Sequence, residues 1–279
     1  MVRSPTTDPA IQEILVSKRV LLITGGGSGI GAAIATAARA DWQVVITGRR
    51  LAPLESVAAS TGAHAIAADM ADADTVARVV AGVVERYGRL DGVVANAGVM
   101  GVGDVVSTSV AEWNHVMQVN LTGPFLLAHE AVPHLIESRG AYVAVSSIAA
   151  LRVPGEATAY SVSKAGLTML TQTIARDFAR HGVRANTVCP GWVRTEMGDA
   201  EMAEFGAPLG LDVEQAYAEV TALVPQGRAG RPDEIASAVL WLLGDQATYV
   251  NGATLVVDGA TTLVDPGTVP FEVQLRPRV

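Results

Sequence analysis

The sequence predicts an α/β protein, a single-domain, doubly wound parallel sheet of about seven strands with helices on both faces. Three observations carry this. Short β-branched runs alternate with longer amphipathic ones six or seven times, the pattern of strand–helix units whose sheet is buried on both sides. A glycine-rich turn separates the first strand from the first helix. No long linker or Ser/Gly-rich tract divides the 279 residues, a length that suits one domain with a sizeable core. Right-handed crossovers then wind the sheet in both directions.

The elements follow in order. "RVLLIT" (19–24) reads as a buried strand, and an Ala-rich helix runs from the glycines through about Ala40. "QVVITG" (43–48) is the second strand, followed by a helix from about Leu51. "AHAIAA" (63–68) is the third, with a helix from Asp72 to about Tyr87. "LDGVVAN" (90–96) is the fourth, and a long helical stretch from about Val110 to Ser138 is interrupted by Pro124 and Pro133. "AYVAVSS" (141–147) is the fifth strand, and the next helix spans about Thr158 to His181. "VRANTVCP" (183–190) is the sixth, "PDEIASAVLWLLG" (232–244) is a helix, and "ATLVVDG" (253–259) is the last strand. Residues 192–228 read as irregular, and 261–279 lie beyond the alternation.

Composition narrows the function classes. Hydrophobic residues make up 49% and charged residues 17%, against disorder. The formal net charge is -8 with no basic run, which argues against a nucleic-acid surface. Cys189 is the only cysteine, so neither an internal disulfide nor a multi-cysteine metal site is available. The five histidines do not cluster in a ligand pattern, and no metal is expected. The N-terminus lacks the apolar core of a signal peptide and no run reaches ~18 apolar residues, so the expected setting is cytoplasmic, with no membrane.

"TGGGSGIG" (24–31) lies at the strand-to-helix turn, where free backbone N–H groups at a helix N-terminus hold a phosphate. Gly25 permits the tight turn, Gly29 lets the backbone approach a pyrophosphate, and Gly31 lets the helix pack closely. With Gly27, Ser28 and Ile30 these residues form the expected cofactor cradle.

Further on, "AYSVSKAG" (159–166) sets Tyr160 and Lys164 one helical turn apart. Of twenty Lys plus Arg, only Lys18 and Lys164 are lysines. TGxxxGxG followed by YxxxK resembles the short-chain dehydrogenase/reductase family, over about residues 18 to 260. Further motifs in order strengthen the resemblance: "NAG" (96–98), "VNLTG" (119–123), "SS" (146–147), "PGWVRT" (190–195) and "YVNGATLVVDGA" (249–260). Ala95 stands where the family often has Asn, and VDGA where VDGG is common.

The resemblance implies a Rossmann-like fold and a hydride-transfer reaction between a nicotinamide cofactor and a small carbonyl or alcohol. It maps four catalytic residues. Tyr160 gives the proton in reduction and takes it in oxidation, Ser147 hydrogen-bonds the carbonyl oxygen, Lys164 holds the nicotinamide ribose and lowers the tyrosine pKa, and Asn120 holds a water. It also implies that Asn96, Ala97 and Gly98 hold the sheet around the cofactor, that Asp69 and Met70 lie at the adenine, and that Pro190, Gly191, Val193 and Thr195 lie at the nicotinamide amide. A free tyrosine titrates near ~10, so neutral-pH chemistry needs about three units, roughly 4 kcal/mol. A compact ammonium with three donors suits that task and two ribose hydroxyls better than a planar guanidinium.

The end of the second strand reads the adenosine ribose. An acid there binds the 2′-hydroxyl, whereas an arginine accepts a 2′-phosphate. "VVITGRR" puts Gly48 at the acidic position with Arg49 next, which points to NADP(H) with Arg49 as phosphate ligand, with NAD(H) as the alternative.

The expected division is an N-terminal extension (1–18), a catalytic domain (19–260) with a substrate lid at about 192–228, and a tail (261–279). Leu151, Val153, Trp192, Met197, Met202, Phe205 and Leu209 suggest a pocket for a substrate with an apolar body. The resemblance implies a homotetramer or homodimer. Two alternatives stand beside the dehydrogenase: a catalytically idle NADP(H)-binding sensor, which intact Asn120, Ser147, Tyr160 and Lys164 disfavour, and a sugar-nucleotide epimerase, whose glycine loop and C-terminal domain differ.

Overall fold

A computed structural model of the protein describes residues 18–269 and 271; the rest of the expected extension and tail lie outside the described residues. Seven strands form one parallel sheet: β1 (Arg19–Thr24), β2 (Trp42–Gly48), β3 (His64–Ala67), β4 (Gly92–Ala95), β5 (Ala141–Val145), β6 (Arg184–Pro190) and β7 (Thr254–Val257). Their order is β3-β2-β1-β4-β5-β6-β7. The chain moves one way from β1 to β3 and the other way from β4 to β7, so a crevice opens between the carboxyl ends of β1 and β4.

Alternation along each strand explains the two cores. Val20 and Leu22 face helices α3 (Ala73–Tyr87), α5 (Gly123–Ser138) and α6 (Thr158–Phe178). Leu21 and Ile23 face α1 (Gly29–Ala38), α2 (Leu51–Thr61) and α9 (Pro232–Leu243). Both faces are apolar, which is why the strands read as continuous hydrophobic runs. Among the described residues, no helix is long and apolar enough to cross a membrane.

Two expected elements differ. The long helix from Val110 to Ser138 is two helices, α4 (Val110–Met117) and α5, joined by a π turn at Gln118–Thr122. Pro124 sits in the first turn of α5, where its missing N–H costs nothing, and Pro133 lies inside α5 without ending it. Residues 192–228, expected to be irregular, hold α7 (Glu196–Gly206) and α8 (Val213–Val220), capped by Thr195 and Asp212. The buried residues of α7 are Gly198, Met202 and Gly206, and two glycines leave no apolar period to read.

The turn from β1 into α1 has no spare volume. Gly25 takes φ +66°, and a Cβ on Gly31 would sit 2.2 Å from the Gly25 carbonyl oxygen. Gly31→Ala is therefore expected to cost about 1–3 kcal/mol, several degrees of Tm. Gly82→Ala, on α3 with nothing within 4 Å, should be neutral or slightly stabilising. Paired thermal melts check this; equal Tm for both variants would show that the α1 turn is not sterically closed.

Candidate active site

The crevice at the β1–β4 switch is a cleft of about 510 Å³. Of the predicted cofactor residues, Gly25, Gly27, Ser28, Arg49, Asp69, Met70, Ala97 and Gly98 line it together. Asn96 ties the strand ends beside it. Its side-chain amide donates to the Thr24 and Gly25 carbonyls at 3.0 and 3.2 Å, while the Thr24 hydroxyl accepts the N–H groups of Asn96 and Ala97 at 3.0 and 3.1 Å. Ile30 lies in the first turn of α1 and packs against the core.

The end of β2 presents Gly48 and two exposed arginines to the cleft. Arg50 pairs with Glu196 at the start of α7, at 2.9 Å. Arg49 has no hydrogen bond or ion pair among the described residues. Asp69 accepts the Ala71 N–H at 3.0 Å.

At the other end the chain turns at Gly98 between two catalytic candidates. A Cβ there would lie 3.3 Å from both Asn120 Oδ1 and Lys164 Nζ. Asn120 is fully buried in the π turn. Its oxygen accepts the Val99 N–H at 2.8 Å, and its amide donates to the Val99 carbonyl at 2.9 Å and to Ser163 Oγ at 3.1 Å. The side chain is thereby engaged at both its oxygen and its amide. Pro124, four residues on, has no N–H to engage the Asn120 main-chain carbonyl in α-helical register.

Tyr160 and Lys164 share one face of α6, with Lys164 Nζ 5.6 Å from the phenol ring centroid. Lys164 is only 4% exposed and donates to the Val145 carbonyl at 3.1 Å. Burial lowers its pKa from 10.5 to about 8. Ser147 caps the turn after β5, accepting the Ala149 N–H at 3.1 Å. Tyr160 is raised above its ordinary value by burial, against a hydrogen bond with Ser147 that pulls it down; the Glu201 carboxylate pushes the same way as burial. Lys164 is not among the groups that shift Tyr160 in this arrangement. The ammonium sits over the ring and on a carbonyl rather than at the hydroxyl, and desolvation dominates.

The sequence model of a family described as enoyl-(acyl carrier protein) reductase matches residues 25–262. The chain is 37% identical to 2-(R)-hydroxypropyl-CoM dehydrogenase of Xanthobacter autotrophicus, over 88% of this chain and 99% of that protein. Among solved structures, levodione reductase superposes with a TM-score of 0.84 at 31% identity, covering 88% of this chain and 98% of the other. A variant of actinorhodin polyketide ketoreductase with NADPH gives 0.83 at 31% identity, covering 88% and 97%. The chain belongs to the short-chain dehydrogenase/reductase family. As a member it is an oxidoreductase of the CH–OH/C=O type that binds a nicotinamide dinucleotide.

The site fits that group. The glycine turn has no room for side chains, the cleft reaches from it to Gly98, and Arg49 has an unspent cation. The remaining family segment is split. Thr195 caps α7 and lies against Gly29, whose Cβ would meet its side chain at 3.2 Å. Gly191 instead packs on Asp258 near β7, and the Val193 side chain is in the core, so only its main chain is available. Met202, expected in the pocket, is buried with Ala216, Tyr217 and Ala229 in a small separate core between α7, α8 and the segment that follows them. Leu151, Val153, Met197, Phe205 and Leu209 are exposed, while Trp192 packs on that small core.

Some residues of this short-chain dehydrogenase/reductase site escaped sequence reasoning. Ser146 donates to the Lys164 carbonyl at 2.9 Å, Ser163 buttresses Asn120, and Glu196 spans to Arg50 and Ser28. The Ser146–Ser147 doublet and Pro124 were the available signals; Glu196 had none, because its partners are distant in sequence.

Lys164 generates a stability prediction. Its folded pKa lies below its unfolded one, so unfolding takes up a proton between about pH 8 and 10.5 and stability rises with pH across that window. Below it the burial penalty stands in full, about 3 kcal/mol. Lys164→Met relieves that penalty and loses the Val145 hydrogen bond, about 1–2 kcal/mol. Denaturant melts should find the variant at least as stable as the wild type at pH 7, with its advantage shrinking by pH 10. A variant several kcal/mol less stable at both pH values would mean that the ammonium holds the fold.

Proposed function

We propose that the chain is an NADP(H)-dependent oxidoreductase interconverting a ketone and a secondary alcohol, with Tyr160 as general acid and base. The observation that carries this reading is the meeting of Tyr160, Ser147, Lys164 and Asn120 around the Gly98 end of a dinucleotide cleft. Relatives named as a hydroxypropyl-CoM dehydrogenase, a levodione reductase and a polyketide ketoreductase support the reaction class.

When bound, the cofactor supplies or accepts the hydride. Gly25, Gly27, Ser28, Gly29, Ile30 and Gly31 would hold its pyrophosphate. Asp69 and Met70 would hold the adenine, and Thr195 with the main chain of Val193 the nicotinamide amide. Pro190 and Gly191 act by fixing the path of that segment, and Asn96, Ala97 and Gly98 by shaping the cleft. Ser147 donates to the substrate oxygen, and Tyr160 donates the proton that oxygen takes up on reduction. Lys164, protonated below about pH 8, supplies the cation that stabilises the resulting phenolate, and would hold the nicotinamide ribose hydroxyls. Asn120 holds the water that refills the proton through its main-chain carbonyl.

NADP(H) is favoured over NAD(H) because Gly48 stands where an acid would repel a 2′-phosphate, and Arg49 beside it has no competing partner. The solved relative with NADPH supports the same choice. We also read the chain as cytoplasmic, and as a homotetramer or homodimer; exposed Phe125, Met169 and Trp241 on α5, α6 and α9 support the assembly.

Fluorescence titration should show NADPH binding at least ten-fold tighter than NADH, and Arg49→Asp should erase that ratio. An unchanged ratio would sink the Arg49 assignment. In a carbonyl screen with the preferred cofactor, Tyr160→Phe should lower kcat by about 10²–10⁴-fold with cofactor affinity intact. Retained turnover in that variant would remove Tyr160 from the chemistry.

A further inference from the structure

A second cavity lies at the other end of the sheet. It measures about 640 Å³ and is lined from the amino ends of β1, β2, β5 and β6, the approach to β4, and the segment between α9 and β7. β1 is six residues long, so about 20 Å of strand separates this cavity from the cofactor cleft. No described residue lines both.

Its charges do not balance. Four guanidiniums, Arg19, Arg89, Arg139 and Arg184, share it with two carboxylates, Asp91 and Asp245. The chain as a whole carries a net charge of -8, so this surplus is a local feature. Asp91 is spent: it accepts two bonds from Arg89, at 2.8 and 2.6 Å, and the Val20 N–H at 2.8 Å. Asp245 accepts Arg19 at 2.9 Å. Arg184 donates to the carbonyls of Leu242, Leu243 and Gly244 at the end of α9, whose dipole offsets about half a charge. Burial lowers the Arg184 pKa, with Asp245 opposing the shift and Arg19 adding to it.

Arg139 differs from the other three. Its guanidinium makes no hydrogen bond or ion pair among the described residues. Its backbone is left-handed, φ +54° and ψ +42°, at the C-terminus of α5, where glycine ordinarily stands. Its stem crosses Gly182, where a Cβ would come within 3.0 Å of the Arg139 Cγ. A strained main chain thus carries an unpaired cation to the cavity. Arg19 adds spare donors, since one of its nitrogens bonds Asp245 while the guanidinium lies 4.5 Å over the Trp42 ring. Guanidinium forks with free N–H groups match the oxygens of phosphates and carboxylates.

We propose that this cavity binds a small dianion, a phosphate monoester or a dicarboxylate, with Arg139 as its principal ligand and Arg19 and Arg184 supplying the surrounding positive field. The site is separate from the cofactor cleft and does not rest on the oxidoreductase reading.

The test is calorimetric titration of the full chain at low ionic strength with inorganic phosphate, phenyl phosphate and succinate, NADPH being present to fill the cofactor cleft. One site per chain with a Kd below about 1 mM is expected for at least one probe. The phosphate and succinate arms identify which dianion is taken. Arg139→Gly removes the guanidinium and suits the left-handed backbone, so its Tm should match or exceed that of the wild type. Its affinity for the same probe should fall about 10- to 100-fold, and Arg139→Lys should fall between the two. Arg49→Asp, at the far cleft, should leave the binding intact with or without NADPH. No saturable binding of any probe, or equal affinity in Arg139→Gly, overturns the proposal. So does binding that is lost in Arg49→Asp, since the anion would then belong to the cofactor cleft.

Discussion

The site depends on a tie between two strands that are distant in sequence. Thr24 ends β1 and Asn96 follows β4, and four hydrogen bonds of 3.0–3.2 Å join Thr24 and Gly25 to Asn96 and Ala97. Each is worth about 1 kcal/mol net, and together they resist splaying at the point where the sheet changes its winding direction. Everything functional is hung from this tie. The Gly25 carbonyl it grips lies where Gly31 approaches closest, so the glycine turn is held from both sides. The chain that leaves it reaches Gly98 and Val99, which fix Asn120 and border Lys164.

Burial acts in opposite directions on the two residues of α6. It pushes Tyr160 up, making the phenol a poorer acid, and Lys164 down, making the ammonium easier to lose. Neither shift helps general acid–base work by itself. Taken as a pair, they describe a site in which a charge is expensive until a partner arrives, and in which a partner then acts with little screening. Lys164 remains protonated at neutral pH because its displacement stops near 8, and its present partner is a neutral carbonyl, the kind of bond an ammonium exchanges readily. An arginine in that place would be too broad for a position that a Cβ on Gly98 would approach to 3.3 Å.

Legibility in the sequence followed the range of the interactions. The sheet was readable because both its faces are apolar and each strand is punctuated by a turn; its edges shifted by one or two residues, as with β5, which ends at Val145 before Ser147. The glycine turn and the Tyr160–Lys164 pair were readable because their parts are neighbours in the chain. The π turn was not, since Pro124 announces a break without saying how the helix is rejoined. Helices α7 and α8 were hidden because their close packing uses glycines: a Cβ on Gly198 would lie 2.6 Å from the Tyr217 hydroxyl. Met202 is not in the expected pocket for the related reason that an apolar residue on α7 serves the small core these helices share.

The adjacent arginines at the end of β2 show how one dipeptide is divided between two tasks. Arg50 reaches Glu196 at the start of α7. The first turn of α7 is thereby tied to the end of β2, while Thr195 beside it rests on Gly29 in the glycine turn. The ion pair is exposed, so it contributes little to stability; its consequence is geometric. The proposed substrate lid and the proposed cofactor cradle share their residues at this junction, and a displacement of one must break or carry the other. Arg49, next to Arg50 and lining the same cleft, makes no hydrogen bond or ion pair among the described residues.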